Sequence, residues 1–486
     1  MMFLFHLFSL TSIDVVYFMT SLTILRIALP TPLRRLFDYL PPQGCDYKTL
    51  KPGIRVLVPF QSRELVGLLI SVEDSTSISH NKLKMASALL DQQSILTPDV
   101  YKLCLWAADY YHYSLGEVLA SAMPVLLRKN KPVKIKNKML ISTQSTELFL
   151  SLNSEQKEAV QAISSADNQF KVFLLDGVTG SGKTEVYLHV MDKNIKLDKQ
   201  ILMLVPEISL TPQTMARVQA RFSVPIVALH SNLTEQKRLQ AWLAAKEGVA
   251  KIVIGTRSAI FTPFANLGLI IVDEEHDSSF KQQDRFRYHA RDLAVMRASF
   301  SGIPIVLGSA TPSLESLQNV QRQRYELLML PQRAGNAELP HFQLIDLRQS
   351  LVEEGLSKEL LKMIRHHLDQ NNQVMLFLNR RGFSPVLYCT QCTAIVECER
   401  CDARMVYHRS IQRLQCHHCN ARKRIPEYCK KCKAMTLQPV GIGTQRLEQA
   451  LTTHFTGIPI IRVDRDNTQR KGAMQNLLDQ INTQKK

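Results

Sequence analysis

Four Cys-x-x-Cys pairs within residues 389–432 constrain this chain more than any other feature: Cys389/Cys392, Cys398/Cys401, Cys416/Cys419 and Cys429/Cys432. A two-residue spacer turns both sulfurs of a pair toward one ion. Two pairs complete a tetrahedral site, so four pairs imply two structural zincs. Disulfides are the competing use, but they need an oxidising compartment and belong mostly to short secreted chains. This chain has 486 residues, and only Cys45 and Cys104 of its 10 cysteines lie outside the cluster. Eight thiolates fill two coordination shells and leave no open position for water, so the sites are structural rather than catalytic. His408, His417 and His418 lie among these cysteines; with enough sulfur already present, they are expected at the surface rather than on the metal.

Upstream, Gly177, Val178, Thr179, Gly180, Ser181, Gly182, Lys183 and Thr184 satisfy G-x-x-x-x-G-K-[ST]. The run follows a β-type stretch, KVFLLD, and precedes a helical one, EVYLHVMDK, which is the context a phosphate-binding loop needs. Its glycines let backbone N–H groups close around phosphates, and the helix N-terminus adds a favourable dipole. Lys183 is expected to reach the β- and γ-phosphates of ATP, and the Thr184 hydroxyl to bind Mg²⁺. Asp273-Glu274-Glu275-His276 follows another buried run, LGLIIV. There Asp273 would hold Mg²⁺ and Glu274 would polarise the attacking water. Gly308-Ser-Ala-Thr311 closes the next run, IPIVL, where a hydroxyl-rich loop can sense the nucleotide.

Length and charge bound the rest. A chain of 486 residues exceeds one compact core and implies two to four domains. Its formal charge of +17 points to a polyanionic partner. Residues 19–128 read as a small mixed domain with the β-type runs LTILRIAL, IRVLVPF and VGLLISV. A helical stretch follows, carrying Leu103, Leu105, Trp106, Tyr110 and Tyr111. Residues 129–149 are polar and basic and read as a linker. From residue 150, KVFLLD, ILMLVP, KIVIG, LGLIIVD and IPIVLGS alternate with helical segments, the pattern of a parallel sheet covered on both faces. A second series, FQLIDLR and QVMLFLN, is interrupted by the cysteines and resumes with TLQPVGIG and PIIRVDR. The first eighteen residues are apolar but lack a basic start and a cleavage site, so translation from Met19 is expected. No run is long and apolar enough to span a bilayer, and a cytoplasmic protein is expected.

The P-loop, DEEH and SAT, in this order, resemble superfamily 2 helicases. The finer resemblance is to the PriA family of bacterial primosomal replication-restart helicases, also called primosomal protein N′. It is carried by LNSEQ (152–156), DGVTGSGKTEVY (176–187), LVPEISLTPQ (204–213), LHS (229–231) and IGTRSAIFTP (254–263). DEEHDSSFKQQDRFRYHARDLAVMRA (273–298), GSATPSLES (308–316), NRRGFSP (379–385) and the cysteine block complete it. The resemblance implies an α/β fold of RecA-like helicase lobes. A two-zinc Cys-rich module is inserted in the second lobe, and a small, mainly β DNA-binding domain precedes the first. It places a 3′-DNA-end-binding domain at 19–128, lobe 1 at 150–335, lobe 2 at 336–388 and 433–486, and the zinc insert at 389–432. Residues 1–18 form a doubtful extension.

The resemblance also implies roles. Gln156 would read adenine, and Lys183, Thr184, Asp273 and Glu274 would carry hydrolysis. Segment 280–291 corresponds to an aromatic-rich loop that couples DNA contact to the ATP site. Phe280, Phe286 and Tyr288 are suited to stacking on bases, and Lys281, Arg285, Arg287 and Arg291 to meeting phosphates. Family pairing nests the cysteines: Cys389, Cys392, Cys429 and Cys432 on one zinc, Cys398, Cys401, Cys416 and Cys419 on the other. Phe37, Asp38 and Lys84 would line a pocket for a DNA 3′ end, with Gln61 at a position where the family usually has glycine. The family's winged-helix domain and its later second-lobe motifs, including the arginine finger, have no counterpart here. The expected function is therefore an ATP-dependent 3′→5′ DNA helicase, using ATP, Mg²⁺ and two Zn²⁺. It would recognise stalled or abandoned replication forks and initiate primosome assembly, working with forked and single-stranded DNA, other primosome proteins and single-stranded-DNA-binding protein. The alternative is a truncated fork-DNA-binding protein without helicase activity.

Overall fold

The computed structural model describes residues 23–44, 46, 49–129, 150–206, 212–334, 340–346, 352–353, 355–378, 386–401, 403–408, 413–416, 418–440, 444–463 and 473–483. The expected N-terminal extension, nearly all of the linker, part of PEISLT, the NRRGFSP motif and His417 lie outside the described residues. Two compact units divide the chain, Met1–Glu338 and Leu339–Lys486.

In the first unit, β1 (Ile24–Ala28), β2 (Phe37–Tyr39), β3 (Arg55–Phe60), β4 (Arg63–Glu73) and β5 (Ala88–Leu89) form an antiparallel sheet in the order β2-β1-β4-β3-β5. Alternate side chains point to opposite faces of a strand. Leu25, Ile27, Val56 and Val58 accordingly share one core with Leu69 and Tyr39. Helices α1 (Pro98–Tyr110) and α2 (Leu115–Ala122) follow. Pro98 opens α1, where its missing N–H costs nothing. Of the apolar residues expected on its inner face, Leu103 is fully buried, whereas Leu105 and Tyr110 face outward. The helical period was right, but the run is apolar on more than one side. Gly116 on α2 must be glycine, since a Cβ there would fall 1.7 Å from the Leu29 carbonyl oxygen.

The remainder of this unit is a layered α/β lobe. In chain order come α3 (Ser154–Ser165), β6 (Lys171–Gly177), α4 (Lys183–Lys196), β7 (Gln200–Leu204), α5 (Pro212–Arg221), β8 (Ile226–Leu229), α6 (Glu235–Lys246) and β9 (Ile252–Gly255). After these come β10 (Leu267–Asp273), α7 (Ala290–Ser301), β11 (Pro304–Ser309), α8 (Leu314–Gln321) and β12 (Glu326–Leu330). Seven strands lie in the order β12-β6-β11-β10-β7-β9-β8, and every pairing is parallel. The continuous apolar runs split between two cores. Val172, Leu174, Ile270 and Val272 face one, and Phe173, Leu175, Leu269 and Ile271 face the other. This is the doubly covered sheet that such runs require. The first of these cores also takes in Leu103, Ala107, Val118 and Leu119 of α1 and α2.

In the second unit, β13 (Val352–Glu353) and β14 (Leu356–Ser357) form a hairpin, and Ser357 caps α9 (Lys358–Asp369) through the Leu360 N–H at 3.1 Å. Strands β15 (Val386–Cys389) and β19 (Leu437–Val440) pair antiparallel. Between them, β16 (Val406–His408), β17 (Arg413–Gln415) and β18 (Arg422–Arg424) make a small sheet. Helices α10 (Thr444–His454) and Ala473–Thr483 complete it. The expected second strand series does not form among the described residues. The described parts of FQLIDLR, QVMLFLN and PIIRVDR carry no strand, and Leu437–Val440 pairs antiparallel rather than parallel. Phe342 (89% exposed), Leu344 (98%) and Met375 (88%) have no cover. A β-prone run becomes a strand only when neighbours take up its N–H and C=O groups.

Candidate nucleotide, metal and DNA sites

The P-loop leaves the C-terminal end of β6 and turns into α4. Gly180 and Gly182 sit at φ +82° and +83°, a left-handed backbone that glycine adopts without steric cost. Gly182 is held by space as well, since a Cβ would meet Gln156 Nε2 at 2.4 Å. The loop is tied down from outside: Val178 N–H donates to Leu330 O at 3.2 Å and Ala334 N–H to Gly180 O at 2.8 Å. Val178, Thr179 and Gly180 are exposed, Ser181 is buried, and Lys183 and Thr184 are half-buried at the start of α4. Lys183 Nζ donates to Gly177 O at 2.7 Å, folded over the cradle. A phosphate would compete for that ammonium with a much stronger acceptor.

Gln156 is placed differently from a base reader. Its Oε1 accepts the Asn153 N–H at 3.0 Å, closing a capping box on α3. Its Nε2 donates to Ser181 O at 2.8 Å. The side chain is buried and acts as a strut under the P-loop.

Asp273 ends β10 and pairs in register with Gly308 of β11, which lies beside the P-loop strand β6. Tyr187 on α4 donates its hydroxyl to Asp273 Oδ1 at 3.0 Å. A Cβ on Gly308 would lie 1.6 Å from that hydroxyl oxygen, so the Tyr187 side chain keeps this position only opposite a glycine. Burial, then the adjacent Glu274, pushes the Asp273 carboxyl above its usual range; a divalent cation would relieve both effects. Glu274 has φ +49°, a strained backbone for a side-chain-bearing residue. His276 Nδ1 lies 2.7 Å from Ser309 Oγ, and Ser309 Oγ accepts the Thr311 N–H at 2.9 Å, which links the acidic run to the SAT loop.

Glu275 was given no role on sequence grounds, yet it is the most enclosed acid here. Fully buried, it takes Arg291 at 2.9 Å, the Ser313 N–H at 2.7 Å and the Ser316 hydroxyl at 2.9 Å. Its signal was a third consecutive acid after a buried strand, one more carboxylate than the nucleotide chemistry uses. Tyr187 was equally overlooked; it lies one helical turn after Lys183 and so faces the same site.

The aromatic loop corrects the sequence reading. Phe280 (0% exposed), Phe286 (3%) and Tyr288 (5%) are interior, Phe286 packed with Tyr111 and Tyr113 and Tyr288 with Phe261, and they offer no face to a base in this structure. Interleaved cations did not signal exposure, because alternate residues of the loop point in opposite directions. Arg285 and Arg287 are exposed, and Lys281 is half-buried with Nζ on Arg287 O at 2.9 Å. Arg291 is buried and held by Glu275, Ser313 and Asp292, so it does not face a phosphate. In the N-terminal sheet, Asp38 is taken by Arg26 at 3.1 Å and by the Thr76 hydroxyl at 2.6 Å. Phe37 packs edge-on against Phe60 at 5.4 Å, and Lys84 is exposed while its carbonyl accepts the Leu40 N–H. Gln61 sits at φ +53° in the β3–β4 turn, a conformation that suits glycine.

The cysteines fall into two quartets, Cys389/Cys392/Cys429/Cys432 and Cys398/Cys401/Cys416/Cys419, with the sulfurs of each quartet within 4.8 Å of one another. Sulfurs of Cys389 and Cys432 lie 3.4 Å apart, and those of Cys398 and Cys419 3.5 Å. These gaps are too long for a disulfide and near the ~3.8 Å edge of a zinc–sulfur tetrahedron. The donor set therefore fits two zinc ions. Hydrogen bonding from Thr436 and backbone N–H groups pulls the Cys389 thiol down, while the neighbouring sulfurs of its quartet push Cys432 up, so the four share protons that a metal would displace. His418 is exposed beside the second quartet.

Residues 26–124 match the 3'DNA-binding domain (3'BD) of PriA, 153–320 the DEAD/DEAH box helicase domain, and 398–424 the PriA DNA helicase Cys-rich region (CRR) domain. The chain is 41% identical to the replication restart protein PriA of Haemophilus influenzae over 94% of its own length and 72% of that protein. It is 35% identical to the Rickettsia felis protein of the same name, over 94% of this chain and 69% of the other. Against the Bacillus subtilis protein it is 42% identical over 68% of this chain and 42% of the other.

Proposed function

The chain belongs to the PriA family of replication restart DNA helicases, and we propose that it couples ATP hydrolysis to 3′→5′ movement on single-stranded DNA. It would act at stalled or abandoned replication forks, where it initiates primosome assembly. The supporting observation is the strand order β6-β11-β10, which brings Lys183 and Asp273 to the same edge of one parallel sheet. In open α/β sheets, ligands bind beyond the C-terminal ends of the strands.

In this reading Gly177 to Gly182 wrap the phosphates, and Lys183 leaves Gly177 O to meet the β- and γ-phosphates. Thr184 and Asp273 hold Mg²⁺, which neutralises the charge that develops on the phosphoryl group. Glu274 orients the attacking water, and Tyr187 keeps the Asp273 carboxylate in place. Gln156 sets the loop from beneath. The exposed Arg285 and Arg287 meet the DNA backbone, while Phe37, Asp38 and Lys84 mark the surface offered to a DNA 3′ end. Each cysteine quartet holds one zinc, which fixes the fold of the insert.

The domain assignment proposed is 19–128 for DNA-end binding, 150–335 for the ATP-binding lobe, and 336–388 with 433–486 for the second lobe around the insert at 389–432. Forked and single-stranded DNA are the polyanions that a +17 chain would meet; primosome proteins and single-stranded-DNA-binding protein are proposed as partners from family membership. Among the described residues, no helix is long and apolar enough to cross a membrane. A cytoplasmic, nucleoid-associated location is proposed with the function.

Steady-state ATP hydrolysis by the 486-residue chain, with and without forked DNA, tests the reading. Stimulated turnover that disappears in Lys183→Ala is the expected result. Tight fork binding with no turnover at any DNA concentration would overturn the helicase assignment.

A further inference from the structure

Tyr111 lies just past the end of α1, outside the ATP-binding lobe as its sequence motifs define it. Its hydroxyl oxygen nevertheless accepts the backbone N–H of His289 at 3.1 Å. His289 is the residue before α7, and its side chain makes no cap on that helix. Two residues on, Arg291 grips Glu275 at 2.9 Å and the Ser313 hydroxyl at 2.6 Å. Glu275 directly follows Glu274, and Ser313 starts the helix after the SAT loop. The Tyr111 ring also packs edge-on against Phe286 at 5.8 Å, with Lys281 Nζ 5.4 Å over its face. One side chain of the N-terminal domain thus meets the beginning, the middle and the end of segment 281–289.

We propose that Tyr111 is a positioning residue that ties the N-terminal domain to the nucleotide site, through the aromatic loop and α7. DNA engagement and nucleotide state then bias one another. The inference rests on the DNA-dependent ATPase reading above. Coupling of this kind is carried by packed and hydrogen-bonded groups with more than one arrangement. Here the path is short: Tyr111, His289 N–H, Arg291, Glu275, then Glu274. Backbone strain sits at its nucleotide end, Glu274 at φ +49°, and in the aromatic loop beside it, Arg285 at φ +56°. Such positions relax when a loop changes state. Burial pushes the Tyr111 hydroxyl up to about 12, so it stays protonated and neutral at working pH.

Tyr111→Phe keeps the ring against Phe286 and removes only the oxygen. DNA-stimulated kcat is expected to fall about fivefold or more, while DNA-free turnover changes less than about twofold. In the wild-type chain, a non-hydrolysable ATP analogue should shift the affinity for single-stranded DNA, and that shift should shrink in the variant, because the coupling free energy between the two sites is what the hydroxyl carries. Wild-type stimulation together with a wild-type analogue shift would overturn the coupling. So would a fall in DNA affinity that simply tracks a lowered melting temperature, because that marks a structural role alone. A wild-type chain showing neither DNA stimulation nor an analogue shift would overturn the functional reading, and the coupling with it.

Discussion

At the scale of single residues, Arg291 separates what a sequence shows from what it hides. The cation is plain in the letters; its partner is not, because Glu275 lies sixteen positions away and is brought close only by the turn after β10. Removing one member of a buried ion pair leaves the other uncompensated, at a cost of about 3–5 kcal/mol. Arg291→Ala is therefore expected to lower unfolding stability by that amount in urea titrations. A phosphate contact predicts something else: little loss of stability, and a salt slope of DNA binding reduced by about one. An unchanged urea midpoint with a shallower salt slope would restore the DNA-facing role. Gly308 gives a second residue-scale prediction. A methyl there collides with the Tyr187 hydroxyl, which must swing away from Asp273. Overpacking of this kind costs about 1–3 kcal/mol, and ATP turnover by Gly308→Ala should fall more than that loss explains. Full activity in Gly308→Ala would show that Tyr187 does not position Asp273. The P-loop and DEEH were legible because their chemistry depends on consecutive residues. Tyr187, Glu275 and the strut made by Gln156 were not, because their roles exist only after folding.

At the scale of elements, the zinc knuckles repeat more closely than their cysteine spacing shows. In each, the first cysteine's N–H donates to an alanine carbonyl five residues on: Ala394, Ala403, Ala421 and Ala434. Wherever the residue after the second cysteine is among the described residues it takes a left-handed backbone, Thr393, Asn420 and Lys433 at φ +60°, +58° and +62°. C-x-x-C-x-A is thus one structural unit used four times, a repeat present in the sequence but masked by the cysteines' prominence. Spacing could not decide which knuckles share a metal. That follows from the antiparallel pairing of β15 with β19, which carries Cys389 toward the fourth knuckle. The small core of this module consists largely of the cysteines and their neighbours, including Leu387, Met405 and Leu414. Chelation is accordingly expected to unfold the module, and Cys398→Ser to lower bound zinc by about one per chain. Hydrogen exchange should then show lost protection at β15–β19 with the seven-stranded sheet unaffected. Retention of two zincs by Cys398→Ser would refute the second quartet. The failed strand predictions belong to this scale too: QVMLFLN has strand composition, but strands are made in pairs.

At the scale of the whole molecule, the boundary between DNA-binding and ATP-binding parts is sharper in sequence than in packing. Composition changes abruptly near residue 150, yet α1 and α2 share one buried core with β6, β7, α6 and α7 of the lobe. Arg297, fully buried on α7, reaches back to Asp99 of α1 at 2.8 Å and to Ile260 O at 2.7 Å. Lys246 on α6 donates to Ser94 O at 3.2 Å. An interface of this kind, apolar and closed by a buried ion pair, does not open independently of the domains it joins. The N-terminal sheet and the lobe are thus expected to unfold in one calorimetric transition, distinct from a zinc-dependent one in the second unit. Arg297→Met should divide that transition in two, because Asp99 then loses its buried partner while the lobe keeps its own sheet. A wild-type N-terminal sheet that exchanges its amides well before the lobe does would show that the shared core is not cooperative. In that case a coupling carried by Tyr111 would have no rigid support, so the melting behaviour and the DNA-stimulated turnover stand or fall on the same contacts.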